Sequence, residues 1–338
     1  MRAIRYHGPK QPLRIEEVAT PSPGPGEVLI RVTAAGICHT ELHFLSGLLD
    51  LGVAPLTLGH EVVGRVEAVG FGVGAPRPGD RVIVYYYVGC GRCAHCLVGD
   101  ENLCDALRGE YGFVSDGGFA DYVKVPARNA VPLPAQIPDD AAAPIGCGVT
   151  TAVHAAALAR VAPGDVVLVY GIGSEAFGLI QIARLSGAEV IAVSRTPAKL
   201  EKARALGASH VLNANEGAVA ERVRAITAGR GVDVVFELVA RKETMAASTA
   251  TLGKRGRLVF IGYSEDSYTV HPIQLVTTEA SVMGSVGNTL GELVRAIDLV
   301  ARGKVETVVD RVLPLDHFQK GIDALAKGEL VGRAVLRP

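Results

Sequence analysis

The stretch Val166-Val167-Leu168-Val169-Tyr170-Gly171-Ile172-Gly173-Ser174-Glu175-Ala176-Phe177-Gly178 decides the fold of the second half of the chain. Its first five residues are continuously apolar and mostly β-branched, which suits a strand buried on both faces of a parallel sheet. The following G-x-G-x-x-A opens a segment, 175–185, with helical periodicity. Strand, glycine turn, helix is the context in which a dinucleotide-binding fingerprint carries weight. Gly171 permits the tight turn, Gly173 lets the backbone approach a pyrophosphate, and the small Ala176 allows helix and strand to sit close. Ile172 lies in the same loop, and the helix start offers free N–H groups to phosphate.

Working outward, further apolar runs at 190–193, 234–236 and 258–261 alternate with Ala-rich helical segments at 197–206, 216–227 and 241–252. That alternation predicts a doubly wound parallel sheet covered by helices on both faces. The first 147 residues differ. Short β-rich runs at 28–33, 62–69 and 81–88 are separated by Pro/Gly clusters such as Pro21-Ser22-Pro23-Gly24-Pro25-Gly26, which predicts a β-rich domain. The tail has too few elements to fold alone, with 333–336 as its strand, and is expected to return to the first domain. The organisation expected is therefore 1–148, a dinucleotide-binding domain at 149–286, and a return segment at 287–338.

Composition removes other classes. The 338 residues hold 34 Lys+Arg against 35 Asp+Glu, a net charge of −1, so no basic excess is available for nucleic acid or an anionic membrane. The first ten residues carry Arg, Tyr, His and Pro with no apolar core, unlike a secretory signal. No run approaches 18 uninterrupted apolar residues, so no membrane span is expected. The expected setting is cytoplasmic.

Six cysteines could form three disulfides, but four of them, Cys90, Cys93, Cys96 and Cys104, form C-x2-C-x2-C-x7-C. Four thiolates this close can converge on one ion, and four sulfurs in a closed tetrahedron suit structural Zn²⁺. Bacterial ferredoxins share C-x2-C-x2-C but place the fourth Cys three residues on, before a Pro; here the gap is seven and Asp105 follows. A DNA-reading zinc module would want basic surroundings, and Arg92, His95 and Arg108 are offset by Asp100, Glu101, Asp105 and Glu110. The other two cysteines, Cys38 and Cys147, lie far apart with His60 between them. Taken singly each is equally a buried core residue. Two Cys and one His would also make a three-ligand zinc site with a fourth position open to water or substrate.

Gly36-Ile37-Cys38-His39-Thr40-Glu41-Leu42-His43, Gly59-His60-Glu61-Val62-Val63-Gly64 and Ile145-Gly146-Cys147-Gly148-Val149-Thr150-Thr151 resemble, in order, the zinc-dependent medium-chain alcohol dehydrogenase family. The four-cysteine segment matches that family's structural-zinc lobe in every spacing, and the resemblance spans essentially the whole chain. It implies a GroES-like catalytic domain beside a Rossmann domain, with the active site in the cleft between them. It implies two Zn²⁺ per chain: a structural one in the lobe, and a catalytic one on Cys38, His60 and Cys147, with Glu61 as an alternative or transient ligand. Glu41 stands where the family often has a carboxylate orienting the zinc-bound His, a role with a physical rationale. The resemblance also assigns His39, Thr151 and Arg333 to the cofactor, the last two at the nicotinamide and the pyrophosphate.

At the end of the second strand of a Rossmann unit, about 20 residues past the fingerprint, an NAD enzyme usually offers an acid to the ribose. This chain reads Ala192-Val193-Ser194-Arg195-Thr196, without one. A hydroxyl and a guanidinium suit a 2′-phosphate, so NADP is expected ahead of NAD; NADP-using family members often carry Ser-Arg there. Ser174-Glu175 departs from the apolar or Gly residues common in the family, and Glu175 would repel phosphate if it faced it. An open zinc position beside a nicotinamide suits oxidation of a small-molecule alcohol, or reduction of a carbonyl, because a Lewis acid lowers the hydroxyl pKa. Thr40 can take the proton and, by resemblance, pass it through the cofactor ribose to His43, whose ordinary pKa suits release near neutrality. Phe44, Leu48, Leu49, Tyr86 and Tyr111 could line an apolar substrate pocket. The competing readings are a zinc-free quinone or enone reductase on the same fold and a non-catalytic zinc-binding redox sensor; the full ligand set argues against the first, Thr40 and His43 against the second. A homo-oligomer, tetramer or dimer, is expected by resemblance.

Overall fold

The computed structural model describes all 338 residues, Met1–Pro338, in two compact units: Met1–Thr150 with Asn288–Pro338, and Thr151–Gly287.

The second unit is built on a six-stranded, wholly parallel sheet. Its order is His210–Asn213, Glu189–Ser194, Val166–Tyr170, Val232–Glu237, Leu252–Phe260, Ser281–Gly284, which in chain order is 3-2-1-4-5-6, the Rossmann arrangement. Every residue of Val166–Tyr170 is buried, as its position in the middle of a sheet covered on both faces requires. Its C-terminal end lies at the point where the strand order reverses, where open α/β sheets bind ligands. Gly171 stands there with φ +93°, a left-handed conformation that only glycine adopts cheaply. Helices Ser174–Leu185, Pro197–Ala205, Val219–Ile226 and Lys242–Thr251 connect the strands. The edge strand His210–Asn213 has no sequence signature because only Leu212 in it is fully buried.

The first unit centres on an antiparallel run of strands ordered Ala130–Pro132, Arg81–Val84, Glu61–Val69, Glu27–Ile37, Arg333–Arg337, with Val309–Pro314 added in parallel at the far edge. Ile30, Val32, Ile37, Val62, Val82 and Val84 fill its core. The C-terminal strand is part of this sheet: Ala334 lies opposite Ile37 and Val335 opposite Gly36. The expected single strand at 81–88 is two, Arg81–Val84 and Tyr87–Val88. The Asn129 side-chain amide donates to the carbonyls of both Tyr85 and Tyr87, at 2.8 and 2.7 Å, so those acceptors leave the ladder and the chain turns into a separate two-stranded ribbon with Gly109–Glu110. The helical run Asp139–Leu158 is long and apolar enough to cross a membrane, but 78% of its apolar window is buried within the protein.

Candidate active site

Cys38, His60, Glu61 and Cys147 come together in the first unit. One ligand atom from each lies within 4.8 Å of all the others, and all four residues are buried. The sheet register explains the convergence. Gly36 lies opposite Glu61 on one side and Val335 on the other, which brings the end of one strand, the start of the next and the C-terminal strand together. A Cβ on Gly36 would fall 1.9 Å from Glu61 Oε2, so the glycine makes room for that carboxylate. Gly59 holds φ +93°, and a Cβ there would fall 2.4 Å from the Phe119 ring; both demands fix the turn that presents His60.

Cys38 caps the helix His39–Ser46, and the Glu41 side chain accepts a 2.6 Å hydrogen bond from the Cys38 backbone N–H. The other oxygen of Glu41 lies 3.5 Å from His60 Nδ1. One buried carboxylate thus fixes the backbone of one ligand and faces the ring of another, leaving the second imidazole nitrogen for a metal. A hydrogen bond from Cys147 holds the Cys38 thiol well below its ordinary range against the opposing effect of burial, and Arg333 and His60 add positive charge beside it. A thiol so disposed is ready as thiolate, the form that binds metal. Two soft thiolates, an imidazole and no fourth obligatory protein donor fit an open Zn²⁺ site.

Glu61 is fully buried, and burial pushes its carboxyl up to about 8 although Arg333 pulls the other way. Arg333 Nη2 donates to Glu61 Oε1 at 2.6 Å, and the Arg333 side chain is 5% exposed. The residue that the resemblance assigns to the cofactor is therefore bonded to the metal-site carboxylate.

Thr40 is half-buried and its hydroxyl donates to Cys38 Sγ at 3.6 Å. His43 follows on the same helix, its ring 5.2 Å from that of the exposed His39. Burial first, and His39 second, lower His43 to about 4, which corrects the near-neutral value expected of it. A dication at the metal site would lower it further. The expected apolar pocket is also redrawn. Phe44 is a core residue against Tyr6, while Tyr86 stands 5.4 Å from the His60 ring and stacks on Phe113.

In the lobe, Cys90, Cys93, Cys96 and Cys104 gather their thiols within 4.8 Å. Cys90–Cys96 and Cys93–Cys104 are 3.9 Å apart, sulfur to sulfur, close to the roughly 3.8 Å edge of a tetrahedron with zinc–sulfur bonds of about 2.3 Å. Backbone N–H groups of Cys90, Cys93, Cys96 and Ala106 donate at 3.2–3.5 Å to the sulfurs of Cys90, Cys93 and Cys104, contacts that favour the charged form of an acceptor sulfur. All six cysteines are free of disulfides.

The second unit holds the other candidates. Ile172 and Ala176 are buried; a Cβ on Gly173 would face open space, leaving the backbone approachable. Ser194 is buried, its hydroxyl accepting from Thr196 N–H at 3.2 Å, and Arg195 is exposed at the strand end. Thr151 is buried near the start of the helix Gly148–Leu158. Asn288 escaped the sequence reading as a residue beside the site. Asn288 donates to the Tyr86 hydroxyl at 3.2 Å, a contact across about two hundred residues that no local pattern signals.

Residues 24–135 match the alcohol dehydrogenase GroES-like domain and residues 171–302 match the zinc-binding dehydrogenase domain. The chain is 35% identical to an alcohol dehydrogenase of Geobacillus stearothermophilus, covering 100% of this chain and 99% of that one. It is 34% identical to an NAD-dependent alcohol dehydrogenase of Sulfurisphaera tokodaii, over the whole of both. The crystal structure of the Aeropyrum pernix alcohol dehydrogenase superposes with a TM-score of 0.94 at 35% identity, covering 100% of each chain.

Proposed function

We infer the chemistry of the site from one premise: this chain belongs to the zinc-dependent medium-chain alcohol dehydrogenase family. It is an NAD(P)-linked oxidoreductase acting on alcohols and their carbonyl counterparts. The observation that carries the reading furthest is the convergence of Cys38, His60 and Cys147 in a chain that also has a Rossmann fingerprint.

Two Zn²⁺ per chain are proposed, one held by Cys38, His60 and Cys147, the other by Cys90, Cys93, Cys96 and Cys104. When bound, the first would supply a Lewis acid that lowers the pKa of an alcohol hydroxyl, and a nicotinamide would supply the hydride acceptor. Glu41 fixes the His60 ring, Glu61 stands by as an alternative ligand neutralised by Arg333, and Thr40 accepts the hydroxyl proton. His43 passes that proton outward as a neutral imidazole. Because its pKa lies near 4, it is unprotonated throughout the working range, and it conducts the proton without storing it. Substituting His43→Ala is expected to lower kcat by about 10²-fold, the low end for a positioned proton carrier, by a similar factor at every pH from about 5 to 8. A loss confined to one side of a titration near neutrality would show that His43 changes charge there.

Gly171, Ile172, Gly173 and Ala176 are assigned to the pyrophosphate loop, with Arg333, His39 and Thr151 as further contacts by resemblance. NADP is proposed ahead of NAD, supported by the exposed Arg195 beside Ser194 and the lack of an acid there, although the name of the Sulfurisphaera relative specifies NAD. Arg195→Gln is expected to lower kcat/KM with NADP by about tenfold or more, the scale of a lost charge-assisted contact, and to leave the NAD value nearly unchanged. The test of the whole reading is a panel of alcohols and aldehydes assayed with both cofactors; the expected result is turnover with NADP above that with NAD, and a chain that reduces quinones or enones but oxidises no alcohol would refute it. Six thiols committed to metal also suit a reducing, cytoplasmic setting.

A further inference from the structure

The strand Val232–Glu237 ends on an acid that the proposed chemistry does not use. The other residues of the strand are apolar save Asp233, and Glu237 is fully buried, where an unsatisfied carboxylate would be costly. One of its oxygens, Oε2, turns back on the chain. It accepts from the backbone N–H of Val239 at 3.0 Å and of Ala240 at 2.6 Å, the arrangement of a charge-assisted bond.

Ala240 needs holding. Its φ is +55°, in the left-handed region, where an alanine is disfavoured by roughly tenfold relative to glycine. Such a residue persists only where its surroundings over-determine it, and residues of this kind cluster at ligand clamps. Here both of its backbone groups are taken: the N–H by Glu237, and the carbonyl by the Ser264 hydroxyl, which donates to it.

The loop so held packs against the fingerprint turn. Leu238 N–H donates to the Tyr170 carbonyl at 3.0 Å, which carries the strand contact one step beyond the Tyr170–Glu237 pair. A Cβ on Gly171 would fall 2.5 Å from Val239 Cγ2, so Val239 closes against the face where Gly171 lacks a side chain. From the other side a Cβ on Gly262 would fall 2.4 Å from the Leu238 carbonyl, while the N–H groups of Ile261 and Gly262 donate to the Glu237 carbonyl at 3.0 and 3.1 Å. The loop is pressed between two glycines, and its shape at Ala240 decides where Val239 meets Gly171.

We propose that Glu237 is a positioning residue for the dinucleotide: its carboxylate holds Ala240 left-handed, and through Val239 this sets the Gly171 turn in the form that receives a pyrophosphate. The proposal rests on the assignment of that turn to the cofactor made above. If Ala240 relaxed to a negative φ, Val239 would withdraw, and the turn would gain freedom that binding must then remove.

NADPH and NADH are titrated into the full-length, metal-loaded protein by following nicotinamide fluorescence, and the tighter of the two is used throughout. Glu237→Met, close in length and without an oxygen acceptor, is expected to raise Kd about tenfold, and Glu237→Gln, which keeps one acceptor oxygen, about threefold. In an Ala240→Gly background, where a left-handed φ carries no penalty, the same Glu237→Met change is expected to raise Kd by less than about threefold. That coupling is the signature of the clamp; a residue that merely supports the fold would lower the melting temperature without it. A Glu237→Met protein, or a Glu237→Gln protein if the first does not fold, that binds the dinucleotide as tightly as the native chain overturns the proposal. So does an equal loss in both backgrounds. Either result leaves the cofactor assignment standing, whereas a native chain that binds neither dinucleotide removes that assignment and the proposal with it.

Discussion

Replacing Cys147 with Ser is expected to lower alcohol oxidation by about 10³-fold or more, because it removes one of the three ligands proposed for a metal whose Lewis acidity would supply several kcal/mol of the barrier reduction. The fold will survive. Cys147 is a buried residue at the end of the short helical turn Ala143–Gly146, and Ser is close to it in volume. The lobe cysteines, between residues 90 and 104, have sulfur contacts only with one another and with nearby backbone. The expected zinc content is therefore one per chain in place of two, with an unchanged circular dichroism spectrum. Full activity in this variant would remove Cys147 from the metal site.

The opposite pattern is expected for the lobe. In its helix Ala94–Val98 no residue is buried, and Leu97 and Val98 are 73% and 74% exposed. The helix brings the lobe no buried side chain, so its shape is expected to depend on the ion proposed for its four thiols. Cys93→Ser is expected to lose that zinc while keeping the catalytic one, and to expose residues 90–108 to protease roughly tenfold or more faster, since cleavage there follows the local opening equilibrium. Cleavage at the native rate in the zinc-depleted variant would mean that the protein alone holds the lobe.

What could be read without coordinates was whatever the chain carries in short, chemically redundant words. Val166–Gly178 is legible because a strand buried on both faces must be apolar throughout, and because a phosphate-binding turn requires glycine at stated positions. The lobe is legible because four thiols within fifteen residues have few other uses. By contrast, the Glu61–Arg333 pair spans 272 residues and arises only from the register of three strands around Gly36. The break between Val84 and Tyr87 depends on Asn129, over forty residues downstream. The low pKa of His43 comes from its burial and from His39 one helical turn earlier, not from the identity of the residue.

A removable zinc on Cys38, His60 and Cys147 is proposed to carry the alcohol dehydrogenase activity of this chain. The most direct test is to titrate the purified protein with a zinc chelator while following both metal content and alcohol-dependent reduction of NADP. The predicted result is two zinc ions per chain at the outset, complete loss of turnover as the first is withdrawn with the fold intact, and recovery when zinc is restored. Undiminished alcohol oxidation after both ions are gone would contradict it.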